Sequence, residues 1–451
     1  MWAQQRVNRA PLRMVALLVV CLIGIAVAGR WFTFPHLRGT PDWRLDFTAA
    51  ELARQARYRG ELSFWMWWAI LSPFLTAAAY VLIRPLRLRA MSVVRAAPWL
   101  GEPGRAALLC ALLLGASSIS AWPAEVMVWH INRRWDMTSE SLGGVFLSLA
   151  RDVLLMGLVV FALGTLFLRL MRRWQRTWST RIAAGSVVVI AACGFLPALQ
   201  GLQPERTTAM PPGKVSQQLE TLKVKAGLPS VPIRVSASAG SDNGLNAYAT
   251  GAGPWARVVL RASSVNQTRA DELTSMVAHE LGHVRARDPL FGALAGGCLT
   301  GILIAGLGWW QGRPTTESGV RLPLSPMHMS SRQMSPIPAR IVPVLVLAWL
   351  SLQLAGLPLV NSVSRGIETR ADIAALELTQ NPQAFISMMH RVAVTNLAYL
   401  GDDAPRQWLR SHPTIVQRIA NARAWAQANG IDVPPGIVAP KPTSDGVQRL
   451  Q

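Results

Sequence analysis

Two histidines four residues apart, with a glutamate directly after the first, form the stretch best suited to chemistry: His279-Glu280-Leu281-Gly282-His283. On a helix, residues four apart lie one above the other on one face, so both imidazoles can reach a single metal ion. Glu280, one step round the helix, stands beside that ion, where it can take a proton from a water the ion has acidified. The chain has only seven histidines, so this spacing is uncommon by chance. It predicts metal-assisted hydrolysis, with zinc as the fitting ion. A surface helix that happens to carry two histidines is the alternative reading.

A hydrolytic zinc site needs a third protein ligand and an open position for water. The candidate ligand is Glu368 in Ser364-Arg-Gly-Ile-Glu-Thr-Arg-Ala-Asp372. Asp372 lies one turn further on the same helical face. It can accept a proton from the outer nitrogen of a ligating histidine and so fix its tautomer. The same pair also fits two solvated carboxylates on an amphipathic helix.

The surrounding chain reads as a membrane protein. Its 451 residues are 51% hydrophobic, yet the formal net charge is +21. Mean hydropathy is positive. Arginines cluster at the ends of apolar runs rather than in one patch, which disfavours a nucleic-acid binder and suits basic loops between spans. Seven apolar runs stand out: Met14 to Gly29, Phe64 to Ile83, Ala106 to Ala124, Ser141 to Leu168, Ile182 to Gln203, Pro289 to Gly312 and Ile341 to Ser364. Most can cross about 30 Å of hydrocarbon at 1.5 Å per residue. Arg151 and Asp152 interrupt the fourth and should face water or a polar interior. Ala26-Val-Ala28 would also serve as a signal-peptidase site, although later spans already anchor the chain. Cys21, Cys110, Cys193 and Cys298 fall in four separate runs and read as small apolar residues.

The polar stretches carry the remaining signals. Phe47 to Tyr58, opened by Thr48 with Glu51 three residues later, reads as an amphipathic helix lying on the membrane surface. Lys214 to Ala226 predicts a helix and Val231 to Ser236 a strand. Leu245 to Thr250 and Ala256 to Arg261 predict a hairpin, followed by the histidine helix from about Thr268. An exposed edge strand there can hold an extended peptide by main-chain hydrogen bonds. Residues 313–340, with His328, read as a flexible linker. Helices are expected over Arg365 to Gln380, Gln383 to Tyr399 and Pro413 to Ala428.

Four motifs in order, Asn246-Ala247-Tyr248-Ala-Thr-Gly251, His279 to His283, Glu368 with Asp372, and His412-Pro-Thr-Ile-Val-Gln-Arg418, carry a resemblance over nearly the whole chain. The sequence resembles the membrane zinc metallopeptidases typified by the type I CAAX prenyl endopeptidase. The resemblance implies Glu368 as third zinc ligand, with Asn246 on the edge strand helping to hold substrate. It also implies that His412 and Arg418 face the cleft near the developing oxyanion. The expected cofactor is one Zn2+ per chain, and the expected partners are a peptide or membrane-protein substrate and the lipid bilayer. No nucleic acid is expected, and the sequence sets no oligomeric state.

The expected fold class is a mainly α multi-pass membrane protein, of about seven transmembrane helices, with a small α/β zincin-like catalytic domain. The expected parts are a membrane region over 1–203, a zincin core over 204–288, two spans over 289–364, a helical remainder of the catalytic domain over 365–430 and a disordered tail over 431–451. Two other functions compete. An intramembrane protease would place the motif inside an apolar span, but Arg269, Asp271, Glu272, Arg285, Arg287 and Asp288 flank it here. An inactive scaffold or chaperone holding a structural zinc gives no reason for Glu280. Loop arginines favour a metal domain outside the cytoplasm, whereas the resemblance implies one facing it.

Overall fold

The computed structural model describes residues 9–31, 39–175, 177–195, 207–236, 243–311, 342–400 and 409–436. The expected linker over 313–340 and most of the expected tail, 437–451, lie outside the described residues. The helices of the membrane part are α1 (Ala10–Ala28), α2 (Ala49–Leu82), α3 (Arg84–Arg95), α4 (Gly101–Arg134), α5 (Leu142–Arg173) and α6 (Trp178–Phe195). The chain then forms β1 (Thr207–Ala209), α7 (Lys214–Lys225), β2 (Ile233–Ser236), β3 (Ala247–Thr250), β4 (Arg257–Arg261), α8 (Ala262–Gln267) and α9 (Ala270–Ala286). It continues through α10 (Asp288–Gln311), α11 (Val342–Thr379), α12 (Pro382–Thr395) and α13 (Ile415–Ala428).

Six of these helices, α1, α2, α4, α5, α10 and α11, are long and apolar enough to cross a membrane; α6 is apolar but shorter over its described length. Their outward faces carry large apolar residues such as Leu17, Phe64, Leu147 and Leu359, as lipid contact requires. Where helix meets helix, small residues allow close approach. A Cβ on Gly297 of α10 would stand 3.0 Å from the Val187 backbone of α6. Arg151 and Asp152 pair with each other at 2.7 Å on α5, which lowers the cost of carrying charge on a span.

Thr48 caps α2 as expected: its hydroxyl accepts from the Glu51 amide, and the Glu51 carboxylate accepts from the Thr48 amide at 2.8 Å. The expected surface helix, however, is not separate. The Phe47 to Tyr58 segment runs without a break into the second span, because no glycine or proline interrupts it before Gly60 and helix continues through that residue. It stands up against the polar domain instead of lying on lipid. Gln55 donates to the Ala393 carbonyl and Arg59 to that of Leu397, while Phe47 enters the domain core.

The sheet has the order β1-β2-β4-β3, with β2 and β4 parallel and the other pairs antiparallel. Val258, Val259 and Leu260 of the inner strand β4 are fully buried. Among the described strands, β3 lies at one edge of the sheet. One core joins the sheet and α7 to helices far along the chain, through Leu219, Val258, Val277, Leu281, Leu376, Phe385 and Ile419. Ile431 and Val433 also pack on it, so the start of the expected disordered tail is ordered by apolar contact.

Helix α9 is pinned to α12 through a fully buried carboxylate. Glu272 accepts from Ser387 Oγ at 2.6 Å and from Arg391 Nε at 2.6 Å, and it also receives the Arg269 amide. Removing the cation leaves a buried charge without its partner. Arg391→Leu should therefore destabilise the domain by about 3 kcal/mol, the low end of the usual range because Arg391 is partly exposed. Thermal unfolding of the purified variant in detergent checks this, and Glu272→Leu combined with Arg391→Leu should recover much of the loss.

Candidate metal centre

The front face of α9 presents His279, Glu280 and His283, while Leu273, Val277 and Leu281 on its back face anchor it in the core. Helix α11 crosses that helix at Gly282. A Cβ there would meet the Ala374 Cβ at 3.1 Å and the Ala371 Cα at 3.4 Å, so the two backbones approach as only glycine permits. This crossing brings Glu368 to the histidines.

The His279, His283 and Glu368 ligand atoms all lie within 4.8 Å of one another. His279 Nε2 is 3.2 Å from His283 Nε2 and 3.4 Å from Glu368 Oε2, and His283 Nε2 is 3.7 Å from Glu368 Oε1. Bonds of about 2.0 to 2.2 Å to a tetrahedral zinc place ligand atoms about 3.3 to 3.6 Å apart, so the spacing fits. Glu368 Oε2 is buried without a hydrogen-bond donor, an acceptor that a cation would satisfy. The donor set, two imidazoles and one carboxylate, is one that zinc accepts with a position left open.

The outer ring nitrogens are engaged as well. His279 Nδ1 lies 2.9 Å from Asp372 Oδ1, and His283 Nδ1 lies 2.9 Å from Asp288 Oδ2. Each contact holds the proton on Nδ1 and turns the Nε2 lone pair toward the cluster. Burial alone would lower the His279 pKa, but Asp372 and then Glu368 outweigh it and raise the imidazole to about 10. The cluster thus attracts positive charge, whether as a proton or a metal ion.

The cleft in front of the cluster has a volume of about 300 Å³ and is lined by Ala247, Tyr248 and Ala249 of β3, by Glu280 and by His412. Strand β3 and the motif therefore face one space. Glu280 is 7% exposed. His412 stands at the mouth with its Nε2 3.3 Å from Glu368 Oε1. Its pKa is lowered, chiefly by desolvation against the site, with Glu368 acting in the opposite sense.

Two expected cleft residues sit elsewhere. Arg418 is 8% exposed and gives its guanidinium to Asp372, with Nε at 2.8 Å from Oδ2. It stands behind His279, 3.5 Å from its Nδ1, and the buried Asp372 carboxylate engages it rather than the cleft lining. Asn246 lies just before β3 and lines an adjoining cavity of about 590 Å³ with Glu125 and Trp129 of α4 and Ser148 of α5. Its backbone is fixed by Ser264 Oγ and the Arg261 amide.

Gly282, Asp288 and Arg370 were not anticipated. Asp288 had a readable signal: Asp288-Pro289 opens α10 directly after Arg287, whose left-handed φ of 57° ends α9. Gly282 and Arg370 become visible only once α9 and α11 are seen together.

Residues 210–426 match the model of Peptidase family M48. Relatives include an uncharacterized metalloprotease, YhfN, of Bacillus subtilis, 32% identical over 40% of this chain and 40% of that protein. Protease HtpX homologs of Streptococcus uberis and Acidiphilium cryptum are 29% and 27% identical over 40% and 51% of this chain, and 64% and 79% of theirs. The chain thus spans less than two thirds of the first two of these relatives. The crystal structure of S. mikatae Ste24p shares the fold with a TM-score of 0.68 and 17% identity, covering 91% of this chain and 98% of that one.

Because Gly282 sets the approach of α11, Gly282→Val should hold Glu368 away from the histidines and lower zinc content well below one ion per chain. Metal analysis of the purified variant tests this, with His279→Ala as the reference for a lost ligand. The chain is an integral membrane protein whose residues 210–426 match the model of Peptidase family M48, and among the described residues six helices are long and apolar enough to cross a membrane.

Proposed function

We propose that this chain is a zinc-dependent integral-membrane endopeptidase that cuts membrane-associated or misfolded proteins, prenyl-type peptides among its candidate substrates. One observation carries the reading: a buried His279, His283 and Glu368 donor set shares a cleft with Glu280 and with strand β3. The M48 match over 210–426 and the bacterial metalloprotease relatives support it. We take 204–288 and 365–430 as one catalytic unit divided by two spans, and a bacterial plasma membrane as its location.

His279, His283 and Glu368 would hold one Zn2+ per chain, which when bound would supply Lewis acidity for acidifying water toward a pKa of about 7 and for polarising a carbonyl. The rest is done by side chains. Strand β3 lies at the edge of the sheet, the place where an extended peptide can add by main-chain hydrogen bonds, with Ala247 and Tyr248 beside the cleft and Asn246 fixing the start of the strand. Glu280 takes a proton from the attacking water and delivers it to the leaving amine. His412, at the cleft mouth, donates a hydrogen bond to the oxyanion, a contact typically worth about 3 kcal/mol. Asp372, held by Arg418, keeps His279 in its ligating orientation.

Glu280→Gln removes the base and keeps nearly the same shape. It should retain one zinc per chain while losing peptide cleavage by at least about 100-fold. The assay compares prenylated and unprenylated peptides, each with zinc and with a chelator. Zinc binding without cleavage by the unaltered chain would instead favour an inactive scaffold.

A further inference from the structure

We propose that Asp288 and Arg370 form a positioning relay that ties His283 to the end of the first membrane helix, so that zinc affinity depends on how α1 is seated. The proposal rests on the zinc reading above. Asp288, the first residue of α10, uses both carboxylate oxygens. Oδ2 meets His283 Nδ1 at 2.9 Å, and Oδ1 takes the Arg370 guanidinium. The same guanidinium donates from its other terminal nitrogen to the backbone carbonyl of Gly29, the residue that ends α1. Carbonyls at a helix end have no intrahelical donor, and a cation there complements the helix dipole. Ala26 and Trp31 then pack against Ala295 of α10, which holds α1 in place.

The two histidines are therefore supported differently. His279 is backed by Asp372, in the polar end of α11, and by Arg418 of α13. His283 is backed by the first residue of one membrane helix and, through Arg370, by the end of another. Arg370 also sits two residues from Glu368, so displacement of α1 acts on α11 close to the third ligand. A carboxylate behind a ligating imidazole fixes its tautomer and raises its basicity, and losing such a partner typically weakens metal binding 10- to 100-fold.

The test uses the full-length chain in detergent, with zinc affinity measured by chelator competition and ligand geometry by the visible absorption of the Co2+-substituted protein. Asp288→Asn and Arg370→Ala should each weaken zinc binding by about 10- to 100-fold and shift the Co2+ bands. Arg370→Lys, which keeps a cation in reach of both carbonyl and carboxylate, should recover most of the affinity. Ala26→Phe, a wedge between α1 and α10 that touches no ligand, should also weaken binding, with Ala26→Val as the milder form if the first does not fold. Val20→Ala on the exposed face of α1 should change nothing. Unaltered affinity and Co2+ spectrum in Asp288→Asn and Arg370→Ala would overturn the relay. Loss in those two with no change in either Ala26 variant would overturn the link to α1. Failure of the unaltered chain to bind zinc, or full uptake by His283→Ala, would instead overturn the zinc reading.

Discussion

The structure depends on one close helix crossing. Zinc-type chemistry needs three donors about 3.3 to 3.6 Å apart, and side chains on two helices reach that separation only if the backbones nearly touch. Gly282 makes the contact possible, and Ala371 and Ala374 keep the facing surface small. The core behind α9 then fixes the crossing. Val277, Leu281, Ala375 and Leu376 are essentially inaccessible, so a shift of either helix would open a void in close-packed apolar material. The motif supplies ligands; the packing places them.

Among the described residues, continuous helix joins apolar spans to the site. Helix α11 has 38 residues, about 57 Å at 1.5 Å per residue, and carries both an apolar span and Glu368 with Asp372. Glu368 lies only four positions beyond Ser364, the end of its apolar run, a rise of about 6 Å. Helix α9 is likewise followed directly by α10, with one left-handed residue between them. Helix α2 completes the frame by carrying its polar first turns up to α12 and its apolar remainder into the spans. The cleft is therefore held at a set distance from the apolar stretches of α10 and α11.

Much of this was legible because it is local. His279 and His283 four apart, Thr48 with Glu51, and the alternating residues of β3 and β4 each report a structure formed within a few residues. Glu368 and Asp372 were legible as a pair one turn apart. What escaped the sequence concerns encounters between distant segments. Nothing near Phe47 to Tyr58 says whether its apolar side meets lipid or protein, since both reward the same pattern; Gln55 and Arg59 reaching α12 decide it. Arg418 follows the cleft motif by six residues, yet the buried Asp372 on another helix captures it. Ile431 and Val433 lie in a proline-rich stretch whose composition suggests disorder, and the core still claims them.

The buried charges behind the histidines have a cost that folding alone does not explain. Asp372 and Arg418 are both nearly inaccessible, and such a pair seldom stabilises a fold more than apolar residues of similar volume would. Its geometry is suited to something else. One carboxylate oxygen meets His279 Nδ1 while the guanidinium spans both oxygens, so the carboxylate cannot rotate without losing two partners. A ring held in that way keeps its Nε2 lone pair on one point in space, where Glu368 Oε2 also points without a donor. The desolvation cost of these charges thus goes into preorganising a cation site, which later needs little rearrangement to bind.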